Sequence, residues 1–440
     1  MLTFWCEHAW LGDGPVAGVR VPVADGRMAA VQVADPEPDD DRLPGLVLPG
    51  FANAHSHAFH RALRGRTHDA GGTFWTWRER MYGVAARLDP DRYLALARAT
   101  YAEMVLAGAT CVGEFHYLHH PAGGGRYADV NAMSEALIQA AADAGIRLTL
   151  LDACYLAGGL DGDGHLPLSD VQARFSDGDA DAWAARVALL PERPGLRFGA
   201  AVHSVRAVPA DQLATIGRAA EGRPLHVHLS EQPAENEACE ACYGCTPTRL
   251  LADRGLLGPD TTAVHATHLT GDDISALGST RTAVCACPST EADLADGMGV
   301  FRPLRDAGSP LCLGSDQHVQ TDLLAEARQL EERDRLITRV RGRFRPAELV
   351  DALTVAGHRA LGWPDAGRIA PGQRADLVAV RLDSPRTAGS APDQLVMTAG
   401  AADVHTVVVD GRIVVSGGQH VLGDVGRLLA TAIEPLWEDA

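Results

Sequence analysis

Eight short apolar runs, each leading into a loop or a helical stretch, set the strongest limit on how this chain can fold. The first is 46–57 (LVLPGFANAHSH), and the others follow at 110–115, 146–156, 196–205, 224–229, 261–269, 282–288 and 310–316. Helical patterns separate most of them, at 93–107, 130–144, 210–220 and 322–340, while a long loop is expected between the first run and residue 93. Strands joined through helices lie parallel, and eight such units close into a TIM-like α/β barrel, (β/α)8. Residues 1–48 alternate short apolar runs with turns, among them a hairpin around the Asp25-Gly26 pair. The β pattern returns near the end in GRIAPGQRADLVAV and VHTVVVDGRIVVSGG. The expectation is a catalytic barrel over 49–364 and a small β-sandwich assembled from 1–48 and 365–440, discontinuous in sequence.

Composition narrows the partners. The formal charge is −18 over 440 residues, which argues against nucleic acid and anionic membranes, since both call for basic patches. A small anionic substrate stays compatible, because a few arginines can reverse the local field. All 39 basic residues are arginine, so Schiff-base chemistry, a P-loop lysine and a lysine-derived metal ligand are excluded. No long apolar span opens the chain, and the protein is expected in the cytoplasm. Nine cysteines, an odd count, fit reduced thiols better than a disulfide framework. Cys239, Cys242 and Cys245 form CxxCxxC but lack a fourth ligand, and they read as helical and non-ligating.

The polar residues fall where a barrel would use them. His55, His57, His203, His228, His265 and Asp316 all lie at or near the C-terminal ends of expected strands, the rim that carries active sites in this architecture. On a strand, His55 and His57 share one face. With His228 and Asp316 they make a three-histidine, one-carboxylate set suited to Zn²⁺, with Fe²⁺ or Mn²⁺ also compatible. Such an ion lowers the pKa of a water in its open position to about 7. Glu231, three residues after His228, suits proton transfer between that water and a leaving nitrogen. His265 is placed to steer the attack together with Asp316, and His268 competes less well for that role. Any one of these residues alone would more often be structural; their common position at one rim favours catalysis.

PGFANAHSH, HVHLSE, VHATH and LGSDQH, with GRIAPGQRADLV in the tail, resemble the amidohydrolase superfamily in its mononuclear deaminase branch. The absence of lysine agrees, because binuclear members generally bridge their metals with a carboxylated lysine. That resemblance implies a metal-dependent hydrolase, one divalent ion per subunit and a homodimer. FWTWRERMY, GEFHYLHH and HSVRAV further resemble the family of N-formimidoyl-L-glutamate deiminases, which act in histidine degradation. Carried over by motif, Arg78, Tyr117, His203 and Arg206 would bind substrate, two guanidiniums suiting a dianionic glutamate moiety. Two positions depart from the pattern: His60 stands where Gln is usual and remains a substrate-binding candidate, and Gln317 stands where Ser is usual. The loop 67–73 is short for the family. A deaminase of a purine or other heterocycle, or a metal-free binding scaffold, are the rival readings.

Overall fold

The computed structural model describes residues 2–68, 72, 74–190 and 192–438, so most of the loop 67–73 lies outside the described residues. Eight strands form one parallel sheet: Phe51–Ser56, Ala109–His116, Arg147–Cys154, Leu196–Val202, Leu225–Leu229, Thr261–His265, Ala283–Ala286 and Leu311–Leu313. They pair in chain order. The second and third strands are buried along their whole length, as strands covered by helices outside and side chains inside must be.

Closure happens at the residues singled out above. Ser56 bridges Asp316 in parallel, the Asp316 N–H donates to the His55 carbonyl at 3.1 Å, and the His57 N–H donates to the Asp316 carbonyl at 3.2 Å. Gly314 permits this approach: a Cβ there would stand 2.7 Å from the His55 Cβ and 2.8 Å from its carbonyl oxygen. Behind the rim, Asn53, Ser315, His318, Ser56 and Glu114 form a buried chain of hydrogen bonds that ties the first strand to the chain just past the eighth.

The expected run from residue 46 is divided at Gly50. Asp41–Pro49 belongs to the small sheet, and only Phe51–Ser56 enters the barrel. The small sheet has nine strands, all mixed into one hydrogen-bonded array. Asp41–Pro49 lies at its centre, parallel to Leu2–Leu11 and antiparallel to Leu377–Val380, so both ends of the chain meet there. The hairpin turn falls at Asp25 and Gly26, both with positive φ, as a two-residue turn requires. Its tip returns to residues 373–375 through Met28 N–H to Gln373 O and Ala375 N–H to Gly26 O. Phe4, Val19, Val21, Leu377 and Val408 thereby enclose a core separate from that of the barrel.

The sheet is fixed to the barrel by a buried ion pair. Arg147 on the third barrel strand contacts Asp376 through both terminal nitrogens and Asp410 at 3.2 Å. The helix Val425–Ile433 turns back onto the barrel helix Pro90–Leu106, and Trp437 donates to the Ala62 carbonyl at 3.0 Å. The stretch expected as a long loop holds a short helix, Ala58–Leu63, and a longer one, Phe74–Ala86. No helix among the described residues is long and apolar enough to cross a membrane.

Candidate metal centre and catalytic pocket

His55 and His57 converge from the first strand on His228 from the fifth and Asp316 from the eighth strand's exit. Asp316 Oδ1 is 3.2 Å from His55 Nε2 and 3.4 Å from His57 Nε2. His228 Nε2 is 3.2 Å from His55 Nε2 and 3.4 Å from His57 Nε2. An ion held tetrahedrally at about 2.0–2.1 Å from each donor would set them ~3.3–3.4 Å apart. The spacing fits.

Protonation agrees with the spacing. The His57 Nδ1–H donates to the Phe115 carbonyl and the His228 Nδ1–H to the His203 carbonyl, each at 2.8 Å. A carbonyl only accepts, so each neutral ring carries its lone pair on Nε2. Burial keeps them neutral, pushing His57 down to about 3 and His228 well below its ordinary value. Lone pairs therefore face one another across the centre, an arrangement a cation relieves. Burial works against ionisation of Asp316, yet the hydrogen bond from His55 and the charge on His265 hold it well below the usual carboxylate range. These four residues could hold a metal ion, and all are buried.

Backbone strain gathers at the same rim. Ten non-glycine residues have positive φ among those described, and five of them are Ser230, His265, Ala266, Asp316 and His318. Such conformations cost about 1–3 kcal/mol each and persist where the surroundings impose them, and two of the five residues, His265 and Asp316, line the cavity described below.

Glu231 and His265 stand beside the centre. His265 Nε2 is 3.7 Å from both Glu231 Oε1 and Asp316 Oδ2, and its Nδ1 is 3.7 Å from Glu291 Oε1. Burial would discharge His265, but Glu231, Glu291 and Asp316 outweigh it and hold the ring well above its ordinary pKa. His268 is engaged elsewhere, donating from Nε2 to the Asp296 carbonyl at 2.7 Å.

A cavity of about 290 Å³ opens above this floor, and His57, His228, Glu231, His265 and Asp316 all line it. His60, Arg78, Tyr117, His203 and Arg206 line it too. His60 Nε2 and Tyr117 Oη share a hydrogen bond of 2.9 Å. Arg78 lies 4.5 Å over the Trp75 ring and makes no hydrogen bond or ion pair among the described residues. Arg206 faces Glu231 at 3.6 Å and Glu235 at 3.3 Å. Burial and the Arg206 charge push His203 well below its ordinary pKa, so it meets a ligand as a neutral ring. Gln317 turns away from the cavity to donate to Asp293 Oδ2 at 2.9 Å.

Sequence reasoning missed Glu235 and Glu291. Both are fully buried, and neither stands in a pattern that marks it apart from a surface glutamate. Cys239 and Cys242 lie on the helix Pro233–Tyr243, and none of the three cysteines joins a metal-capable cluster among the described residues. A second buried group, His116, His119 and Asp152, lies behind the rim. Both Asp152 oxygens are taken by Arg186 and Trp183, which makes it a structural knot.

Comparison with known proteins places this architecture. The model of the amidohydrolase family matches residues 46–414. The chain belongs to that family. It is 37% identical over 439 residues to a formimidoylglutamate deiminase of Pseudomonas aeruginosa, with 96% of each chain covered. It is 30% identical over 431 residues to an 8-oxoguanine deaminase of the same species, covering 95% of this chain and 94% of the relative. A solved amidohydrolase structure from Brucella melitensis superposes with a TM-score of 0.92 at 32% identity, over 99% of this chain and all of the other. The amidohydrolase barrel and its accessory sheet are thus shared along nearly the full length.

Proposed function

We propose that this amidohydrolase is a metal-dependent deiminase that converts N-formimidoyl-L-glutamate to N-formyl-L-glutamate and ammonia, a step of histidine degradation. The observation that carries the reading is a pair of guanidiniums at the wall of a pocket floored by the three-histidine, one-aspartate set. Arg78 has no carboxylate partner among the described residues, and Arg206 reaches the same cavity from another loop. Two such forks suit the two carboxylates of a glutamate moiety. The 37% identity to a formimidoylglutamate deiminase supports the same substrate.

His55, His57, His228 and Asp316 would hold the ion, most readily Zn²⁺ given the nitrogen-rich donor set and its spacing. When bound, the ion supplies a water acidified to near neutrality at the pocket floor. Glu231 would take a proton from a water as its oxygen adds to the formimidoyl carbon and pass it to the terminal nitrogen; as the carbonyl forms and the C–N bond breaks, the remaining hydroxyl proton would follow by way of Glu231 to the same nitrogen, which leaves as ammonia. His265, charged and flanked by Glu231 and Asp316, donates a hydrogen bond toward the attacking oxygen. Tyr117, tied to His60, and neutral His203 line the same cavity and can donate to the carboxylate end.

A second reading has an observation of its own. Trp75, Trp77, Tyr82, Tyr155 and Phe175 also line the cavity, a stacking surface that would accept a heterocycle. Ammonia release by zinc-loaded protein separates the two: turnover of N-formimidoyl-L-glutamate and not of guanine or 8-oxoguanine supports the deiminase. Turnover of a purine instead refutes it. Loss of turnover on chelation, restored by Zn²⁺, excludes a metal-free scaffold.

A further inference from the structure

Glu235 occupies the third position of the helix Pro233–Tyr243, where a glutamate ordinarily reaches back to the N–H of the capping residue. Here it does not. Its Oε1 accepts instead from the Ser230 N–H at 3.2 Å, two residues before the cap, and its Oε2 points at Arg206 Nε at 3.3 Å. Ser230 has φ of 50° and immediately precedes Glu231. One fully buried carboxylate therefore touches both the turn that carries the proton-transfer residue and the arginine assigned to substrate.

Burying a carboxylate is costly unless it is matched by a partner, and among the described residues Arg206 is the cation in direct ion-pair contact with Glu235, with charged His265 acting from farther off. Arg206 has a competing attraction: its NH2 group is 3.6 Å from Glu231 Oε2. In so dry a setting an arginine beside a single carboxylate closes onto it with two parallel hydrogen bonds. Closed in that way, Arg206 would occupy the oxygens Glu231 needs for its proton and would no longer present a fork to the cavity. A second carboxylate on the Nε edge counters that pull.

We infer that Glu235 is a positioning residue that holds Arg206 off Glu231, keeping the arginine available to a substrate carboxylate and the glutamate available to the proton. Neither the Arg206 Nε nor the Glu235 Oε2 completes a well-formed hydrogen bond in this state, which leaves the guanidinium able to adjust when an anion arrives. The inference rests on the deiminase reading for the identity of that anion, but not for the position of Arg206.

The test compares E235Q and E235D with the zinc-loaded wild type. E235Q keeps an oxygen for the Ser230 N–H and removes only the charge facing Arg206; E235D keeps the charge at shorter reach. Crystal structures are expected to show the Arg206 guanidinium within about 3 Å of Glu231 in E235Q and away from it in E235D. With N-formimidoyl-L-glutamate and N-formimidoylglycine, which lacks the side-chain carboxylate, E235Q is expected to lose about tenfold more kcat/KM on the former than on the latter, with partial recovery in E235D. An Arg206 that stays in place in E235Q, or equal losses on both substrates, overturns the inference. If the wild type releases ammonia from neither compound, the substrate reading fails, and the position of Arg206 in E235Q still decides the role of Glu235.

Discussion

Replacing Glu231 with Gln separates chemistry from architecture in this site. The substitution preserves volume and one accepting oxygen, and it removes a charge 3.6 Å from Arg206 and 3.7 Å from His265. The gross attraction between Glu231 and Arg206 at that distance is about 4–5 kcal/mol at an effective dielectric of 20. Most of it is offset, because a buried carboxylate gives up its hydration and Arg206 keeps Glu235. The net change in folding stability is then ~1 kcal/mol. The loss of proton transfer is larger: general acid–base catalysis contributes about 10²–10⁴ in rate, or ~3–5 kcal/mol of transition-state stabilisation. The chemical effect wins. E231Q is expected to retain stoichiometric metal, because none of the close spacings among the ligand atoms involves Glu231, and to lose 10²–10⁴-fold in kcat by these magnitudes, about two to four decades. Steady-state ammonia release with metal analysis on the same sample measures both. Activity within about threefold of wild type would remove Glu231 from proton transfer, and loss of the ion would show that the centre has been drawn wrongly.

Arg78→Met is expected to raise KM for N-formimidoyl-L-glutamate by about 10–100-fold with a smaller change in kcat, the value of a charge-assisted contact; an unchanged KM would free Arg78 from substrate binding. Asp376→Ala leaves Arg147 buried beside a partly exposed Asp410, and should destabilise the protein by about 3–5 kcal/mol. The double variant R147M/D376A should recover much of that loss in a denaturant titration, whereas simple additivity would deny the coupling. Burial raises the Glu114 carboxyl to about 8 from 4.5, against the hydrogen bonds from Ala58 and Ser56, so its folded form keeps a proton that the unfolded chain gives up. Its contribution is fully present below pH 4.5 and is lost as pH rises toward 8. Between pH 5 and 7 the metal-free wild type should therefore lose about 2.5 kcal/mol relative to E114Q, a difference that equilibrium unfolding at the two pH values reads directly. Parallel pH dependences would contradict it.

What could be read in advance follows from which interactions are local. Strand ends were legible because an apolar run stopping at a polar residue is a pattern of neighbours, and the turn at Asp25-Gly26 follows from two residues. The helix Phe74–Ala86 was hidden by its aromatic, β-favouring start, although its buried Trp77, Met81, Val84 and Ala85 keep helical spacing. Gly50 divides what looks like one apolar run, because strand-like residues on either side belong to different sheets. Glu235 and Glu291 were beyond reach for another reason. Their partners, Arg206 and His265, arrive from other strands, and nothing in the neighbouring residues records that meeting.

The bridge between Ser56 and Asp316 has a consequence for how the enzyme matures. The proposed ligands come from the first and fifth strands and from the exit of the last, and the backbone bonds that shut the cylinder run through His55, His57 and Asp316 themselves. During synthesis the leading imidazoles emerge long before the carboxylate that completes their set. A chain paused short of its final strand carries the three histidines without the carboxylate or the bonds that shut the cylinder, and only the finished cylinder gathers all the donors. If these residues hold the ion, a metal-loaded protein is one whose two ends of the barrel have already met.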